Sequence, residues 1–403
     1  MADDGRFQPV GSTEPQKVRS TRRMWFLKGN AWLRNILPAV LCCLIVCSVS
    51  ARFSSRGLVT SGQFQDIHVY LYNSELRKTF TTRDGRQFPI EIKPKAVVEF
   101  TSPESLTGRS IQIAADFRSS SDLSLLKASR TVNAKPKLKL EFEVAGPLPS
   151  ASYAVIEFTV DGSSTSSRVE LNNKRLSGKV TGFGGAKSQQ PAYVILESEL
   201  NTFVAATPVS GDGSYEISVP SRRYHTIWAV DEGFGNSSLE RYAYNVNLDR
   251  DLQLDFRIGQ SEIYRLSGMQ TAEHTYVAEF SVFTVHTFLD RQVEAQLRLG
   301  KAFNISAFIA DLSNYPVIDR NAVKVLIDGQ AAEVWTVERT LSSLKQYGRS
   351  DRSRPYWLVE GPVPPNVGEG NHSLTIILTT TAEQGGKSIE EHGEGSYQSF
   401  YVW

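Results

Sequence analysis

A chain of 403 residues with 40% hydrophobic and 22% charged residues is a folded protein of more than one ordinary domain, which excludes wholesale disorder. Its net charge of +1 hides an asymmetry: Arg6, Lys17, Arg19, Arg22, Arg23, Lys28 and Arg34 precede Asn35 against only Asp3, Asp4 and Glu14, so the remainder is near-neutral with a slight acidic excess. Such a surface lacks the basic footprint of a nucleic-acid partner. Because Cys42, Cys43 and Cys47 are the only cysteines, disulfides, thiolate metal sites and cysteine nucleophiles are excluded from everything beyond them.

The first element is the uncharged apolar run 36–49, ILPAVLCCLIVCSV. A helix over 35–51 would be about 25 Å long, slightly short of the roughly 30 Å hydrocarbon core. Trp25, Phe26, Leu27 and Trp32 add interfacial anchoring, and Arg34 can snorkel to the headgroups. The basic residues lie before it, so residues 1–34 read as a disordered cytoplasmic tail and 35–51 as a signal-anchor helix contacting the lipid bilayer, giving single-pass type II topology. The alternative is a cleaved signal peptide, with Val49-Ser50-Ala51 as the processing site and a secreted or periplasmic product. A long cysteine-free exported part is more usual of a prokaryotic envelope protein than of a eukaryotic secreted one.

Past a Ser/Gly-rich spacer, period-2 alternation dominates. Ile67-Val69-Leu71, Ile111-Ile113-Ala115-Phe117, Leu138-Leu140-Phe142-Val144, Ala154-Ile156-Phe158-Val160 and Phe303-Ile305-Ala307-Ile309 each predict a half-buried strand. Asp84-Gly85, Asp161-Gly162, Asp212-Gly213 and Asp328-Gly329 predict tight hairpin turns. One short helix is expected over 121–130, and no long helical periodicity appears after the apolar run. The expected class is all-β: three tandem sandwiches over 64–175, 176–262 and 268–403 following one transmembrane helix.

Within 176–262, Ser177-Gly178-Lys179-Val180 opens the segment and the strand Ala192-Tyr193-Val194-Ile195-Leu196 follows. Gly211-Asp212-Gly213-Ser214-Tyr215 then leads into Tyr224 and its strand, and Leu252, Leu254 and Phe256 close the run. This pattern resembles the carboxypeptidase regulatory-like, or transthyretin-like, sandwich, departing from it at Ser221-Arg222-Arg223, where the family has a glycine. The strands VKVLIDG (323–329) and GNHSLTIIL (370–378) resemble those of bacterial immunoglobulin-like surface modules. Both resemblances imply non-catalytic spacers, adhesion surfaces or accessory folding modules.

No G-x-S-x-G elbow, Walker loop, dinucleotide fingerprint or H-E-x-x-H helix is present, and no cofactor is expected. Of the six histidines, His274 and His286 are twelve apart, and no third ligand converges on them by spacing. Glu390-Glu391-His392-Gly393-Glu394 reads as a solvated loop, as does Asp231-Glu232 with Asn236. The candidate partner-binding feature is a basic, aromatic-flanked segment comprising Arg349, Arg352, Arg354, Tyr356 and Trp357, because arginine interleaved with aromatics favours binding hot spots. The plainer reading makes it a linker with core aromatics. Asn236, Asn304 and Asn371 begin N-x-Ser sequons that would be glycosylation sites if the source is eukaryotic.

The composite expectation is a membrane-anchored, extracytoplasmic, non-enzymatic binding or scaffolding protein that contacts an unknown protein or glycan at the cell envelope. The alternative is an accessory subunit that tethers or assists an enzyme or secretion complex encoded elsewhere.

Overall fold

The computed structural model describes residues 64–343 and 353–403. The expected tail and membrane helix lie outside them, and no described helix is long and apolar enough to cross a membrane. The described chain is mostly β, arranged in sandwich-like sheets with a short helical insert. Its first part contains β1 (Gln65–Tyr72), β2 (Leu76–Thr81), β3 (Gln87–Ile92), β4 (Lys95–Thr101), β5 (Ser110–Ser119), β6 (Ser124–Asn133), β7 (Lys137–Glu143), β8 (Ala151–Val160) and β9 (Ser163–Glu170). A β1-β4-β7 sheet and a β6-β5-β8-β9 sheet share one core around Leu71, Val98, Ile113, Phe117 and Phe158. Alternation places those side chains inward. Residues 121–130, expected to be helical, instead form the turn into β6 and most of that strand. Pairing with β5, from Ser110↔Asn133 to Arg118↔Ser124, overrides the local preference there.

Next come β10 (Asn173–Gly182), β11 (Tyr193–Glu199), β12 (Thr202–Pro208), β13 (Ser214–Pro220), β14 (Arg223–Val230), β15 (Arg241–Asn247), β16 (Leu252–Gln253) and β17 (Phe256–Ile258). β13, β10, β16 and β17 cover β12-β11-β14-β15, with Val180, Val194, Leu196, Tyr215, Tyr224 and Phe256 between them. β11 is apolar on both faces for a reason. The β2–β3 hairpin leaves the first part and lays Phe80, Ile90 and Ile92 over Ile195, Trp228, Val230 and Phe234 on the sheet's other side. A sheet buried on both faces reads as a continuous apolar run rather than as an alternation.

The final part comprises β18 (Ser261–Gln270), β19 (Thr275–Thr284), β20 (Val323–Ile327), β21 (Gln330–Ala332), β22 (Thr336–Ser343), β23 (Ser353–Pro362), β24 (Gly370–Gln384) and β25 (Lys387–Val402). Parallel pairing of β15 with β25, Ala243↔Ser396 and Tyr244↔Tyr397, continues the middle sheet into this part. One twelve-stranded sheet results, ordered β12-β11-β14-β15-β25-β18-β19-β23-β22, with β20, β21 and β24 branching from it. Beside the seam Arg241 lies 2.7 Å from Glu394, and Arg257 bonds the same carboxylate. At the crossing of β17 with β25, a Cβ on Gly259 would stand 2.1 Å from the His392 carbonyl oxygen, so only glycine permits the approach.

Three more expectations are corrected. Phe303-Ile305-Ala307-Ile309 is not a strand: Ile305–Ala310 is a helix. Asn304 caps it, its side-chain oxygen accepting from the Ser306 and Ala307 amides at 3.0 and 3.1 Å. A longer helix, Asp290–Leu299, was not read from the sequence at all. Only Gln292 and Ala295 are buried along it, so its apolar stripe is too thin to show. Lastly, Asp161-Gly162 and Asp328-Gly329 make hairpin turns with both residues at positive φ, and Asp84-Gly85 turns β2 into β3, but Asp212-Gly213 joins strands of opposing sheets.

Candidate functional site: an acid-lined cavity

A cavity of about 280 Å³ lies where the β2–β3 hairpin tip, the entry to β15, the start of β18 and the helical insert meet. Each wall follows from the fold. Glu240 immediately precedes β15, and Glu262 stands in β18 directly opposite Phe283 of β19. Phe283, Phe288 and Phe234 form an aromatic wall, with Leu239, Ile305 and Ile309 beside them. Thr284 caps the turn that carries Phe288, its hydroxyl accepting the Phe288 amide at 3.1 Å.

The charges at the mouth satisfy one another. Arg83 pairs with Asp290, Arg86 with Asp84, and Gln292 donates to Asp84 at 3.3 Å. Inside, one acid is not so satisfied. Glu240 and Glu262 are 7% and 8% exposed, and no described residue gives Glu262 a hydrogen bond or salt bridge. Burial pushes Glu240 up to about 7, and neighbouring Glu197 adds to the rise while Tyr242 hydrogen-bonds against it. Burial also pushes Glu262 well up, assisted by Glu240 and opposed by Arg354. Burial thus shifts both acids toward their protonated forms, and an arriving positive charge would shift them back.

The residues singled out from the sequence scatter. Arg349 and Arg352 lie outside the described residues. Arg354 is half-buried, its guanidinium 5.1 Å from the Tyr264 ring centre and 5.6 Å from that of Phe283. Tyr356 and Trp357 are not surface contacts in this fold but core side chains, 3% and 1% exposed. Asn236 uses its side-chain amide to donate to the Thr81 and Phe234 carbonyls, whereas Asn304 and Asn371 are exposed.

Two supposed solvated loops are structured, which corrects both readings. Glu390 to Glu394 lies within β25, where Glu391 is fully buried and accepts from the His286 amide and the Thr287 hydroxyl. Asp231 is buried and organises its turn, accepting from the Gln189 and Gly233 amides and the Ser238 hydroxyl. His274 and His286 sit at opposite ends of β19, and no group of metal-ligating side chains occurs among the described residues. Glu240 and Glu262 went unnoticed because only β15–β25–β18 pairing brings them together, and neither carries a motif.

No family model matches the chain, and neither does any curated protein. Among solved structures it is similar to a Bacteroides uniformis protein whose suggested role is carbohydrate binding, at 9% identity over 56% of this chain and 98% of that one, TM-score 0.19. It is also similar to domains D2 and D3 of the major pilin SpaD of Corynebacterium diphtheriae, at 7% identity over 48% and 98%, TM-score 0.20. A third similar structure is the Bacillus cereus major pilin subunit BcpA, at 10% identity over 57% and 69%, TM-score 0.17.

Proposed function

We propose that this chain is an exported, membrane-anchored binding or scaffolding protein that holds a protein or glycan partner at the cell envelope and performs no chemistry itself. One observation carries the reading: a single sheet runs through two successive sandwiches and is clamped twice. The clamps are the β2–β3 hairpin packed on its outer face and the Arg241–Glu394–Arg257 cluster at the seam. Hydrogen-bonded continuity and apolar cover on both faces oppose hinge motion, which suits an element that positions what it binds.

The basic tail and apolar run support anchoring with the sandwiches outside. The likeness of 176–262 to carboxypeptidase regulatory-like sandwiches, and of the last segment to immunoglobulin-like surface modules, supports a spacer or contact role. The test is capture with the immobilised full chain, comparing a glycan array with solubilised native membranes. Saturable retention of one glycan class or one membrane protein supports the reading. Turnover of a captured molecule would overturn it.

A further inference from the structure

We propose that the cavity between the β2–β3 hairpin and the helical insert binds a primary alkylammonium group, from a free amine or from a partner's lysine side chain. The inference names a ligand class for the binding protein proposed above and rests on that reading.

Charge inventory carries the first half. At the mouth Arg83 pairs with Asp290 and Arg86 with Asp84, so among the described residues the charges there are spent on one another. Inside, Glu262 is more than nine-tenths buried, lines the space and takes no hydrogen bond or salt bridge from any described residue. An unmatched carboxyl is a costly thing to bury, and a ligand bringing both a positive charge and N–H donors removes that cost. Among the described residues the cation that acts on Glu262 is Arg354, which lies against the Tyr264 and Phe283 rings and attracts the carboxylate without forming a salt bridge to it.

Wall chemistry carries the second half. Phe234 and Phe288 line the same space beside Phe283, whose ring already carries Arg354, and aromatic rings attract cations. Leu239, Ile305 and Ile309 suit a hydrocarbon stem better than a hydrated polyol. A compact ammonium on a short chain meets both demands. A guanidinium would bring the same charge on a broader plane, which the apolar wall of Leu239, Ile305 and Ile309 suits less well than a compact ammonium.

Proton balance follows. Burial favours the protonated form of both acids when the cavity is empty, so R–NH₃⁺ binding, which favours a carboxylate, passes any displaced carboxyl proton to the buffer, and no bond other than that O–H is broken. The described groups facing the pair are Glu197, Tyr242 and Tyr244 from neighbouring strands, Arg354 from β23, and Arg83, Asp84 and Arg86 from the hairpin tip. Of these, Glu197 is itself raised by burial. Affinity should therefore rise as pH increases from 6 to 8.

The experiment is calorimetric titration of the full chain with n-butylammonium, with Nα-acetyl-lysine N-methylamide and with neutral n-butanol, in buffers of differing ionisation enthalpy. Expected is saturable binding of an ammonium ligand, net proton release to the buffer at pH 7, and a loss of about tenfold or more in Glu262→Gln. Tighter binding of the lysine compound assigns the source to a partner's side chain, and tighter binding of butylammonium to a free amine. Glu240→Gln and Glu262→Gln imitate the protonated acids, so circular dichroism should find both folded. Butanol binding equally well, no ammonium binding at millimolar concentration, or undiminished binding by the Glu240→Gln/Glu262→Gln double variant would each overturn the proposal. Capture of a partner by the chain is read separately, so that result can stand where the amine fails.

Discussion

Replacing Glu394 by alanine should expose how much the seam between the two sandwiches depends on one carboxylate. Glu394 and Arg241 have side chains only 8% and 3% exposed and meet at 2.7 Å, whereas Arg257 is 44% exposed. Removing the carboxylate leaves the Arg241 charge buried and unmatched, which typically costs about 3–5 kcal/mol. Arg257→Ala removes only the wet partner, and such pairs contribute about 0–1 kcal/mol. Urea denaturation of the full chain followed by far-ultraviolet circular dichroism measures both. The double change Arg241→Met/Glu394→Leu removes both buried charges and should recover most of the loss.

The pH dependence carries the same signature. Burial pushes the Glu394 carboxyl up, but Arg241 and then Arg257 outweigh it and hold it below the ordinary range. A lowered folded value means stability fully present above the unfolded value, about 4.3, and lost as pH falls through the folded one. Glu394→Gln should flatten stability in that acid window. A cost below about 1 kcal/mol for Glu394→Ala would refute the claim that the seam is electrostatically matched.

Other replacements probe other links. Glu240 has the opposite sign: raised to about 7, it contributes stability below its unfolded value that is lost as pH rises toward 7. Glu240→Gln should therefore remove a decline in melting temperature between about pH 4.5 and 7, and an unchanged profile would contradict its burial. Trp357→Ala, emptying a side chain that is 1% exposed in the final core, should cost about 3–5 kcal/mol in the same urea assay. Arg354→Ala should cost about 1 kcal/mol through its two ring contacts, while Arg349→Ala and Arg352→Ala reduce partner capture without moving the denaturation midpoint. Gly259→Ala should destabilise the β17–β25 crossing, because its Cβ meets a backbone oxygen rather than a flexible side chain.

What the sequence disclosed follows from where each face is buried. Strands with one wet face, such as β5, β7 and β8, alternate cleanly and were legible. The 303–309 segment alternates as well, yet it is a capped turn and a half of helix, too short for its period to differ decisively from a strand's. Helix Asp290–Leu299 buries two residues and exposes Leu297, so its stripe is invisible. Tyr356 and Trp357 shared a segment with arginines, but strand β23 turns them inward. Glu240 and Glu262 are 22 residues apart in sequence and become a site only through non-local strand pairing, which no local pattern reports.

The most direct measurement is membrane-impermeant cross-linking on intact cells that produce the full chain, followed by mass spectrometry of the linked residues. An exported binding scaffold should give a reproducible link from residues 64–403 to one partner class, with residues 1–34 unlabelled until the cells are opened. Labelling of 1–34 in intact cells, or sandwiches that react only after lysis, would contradict it.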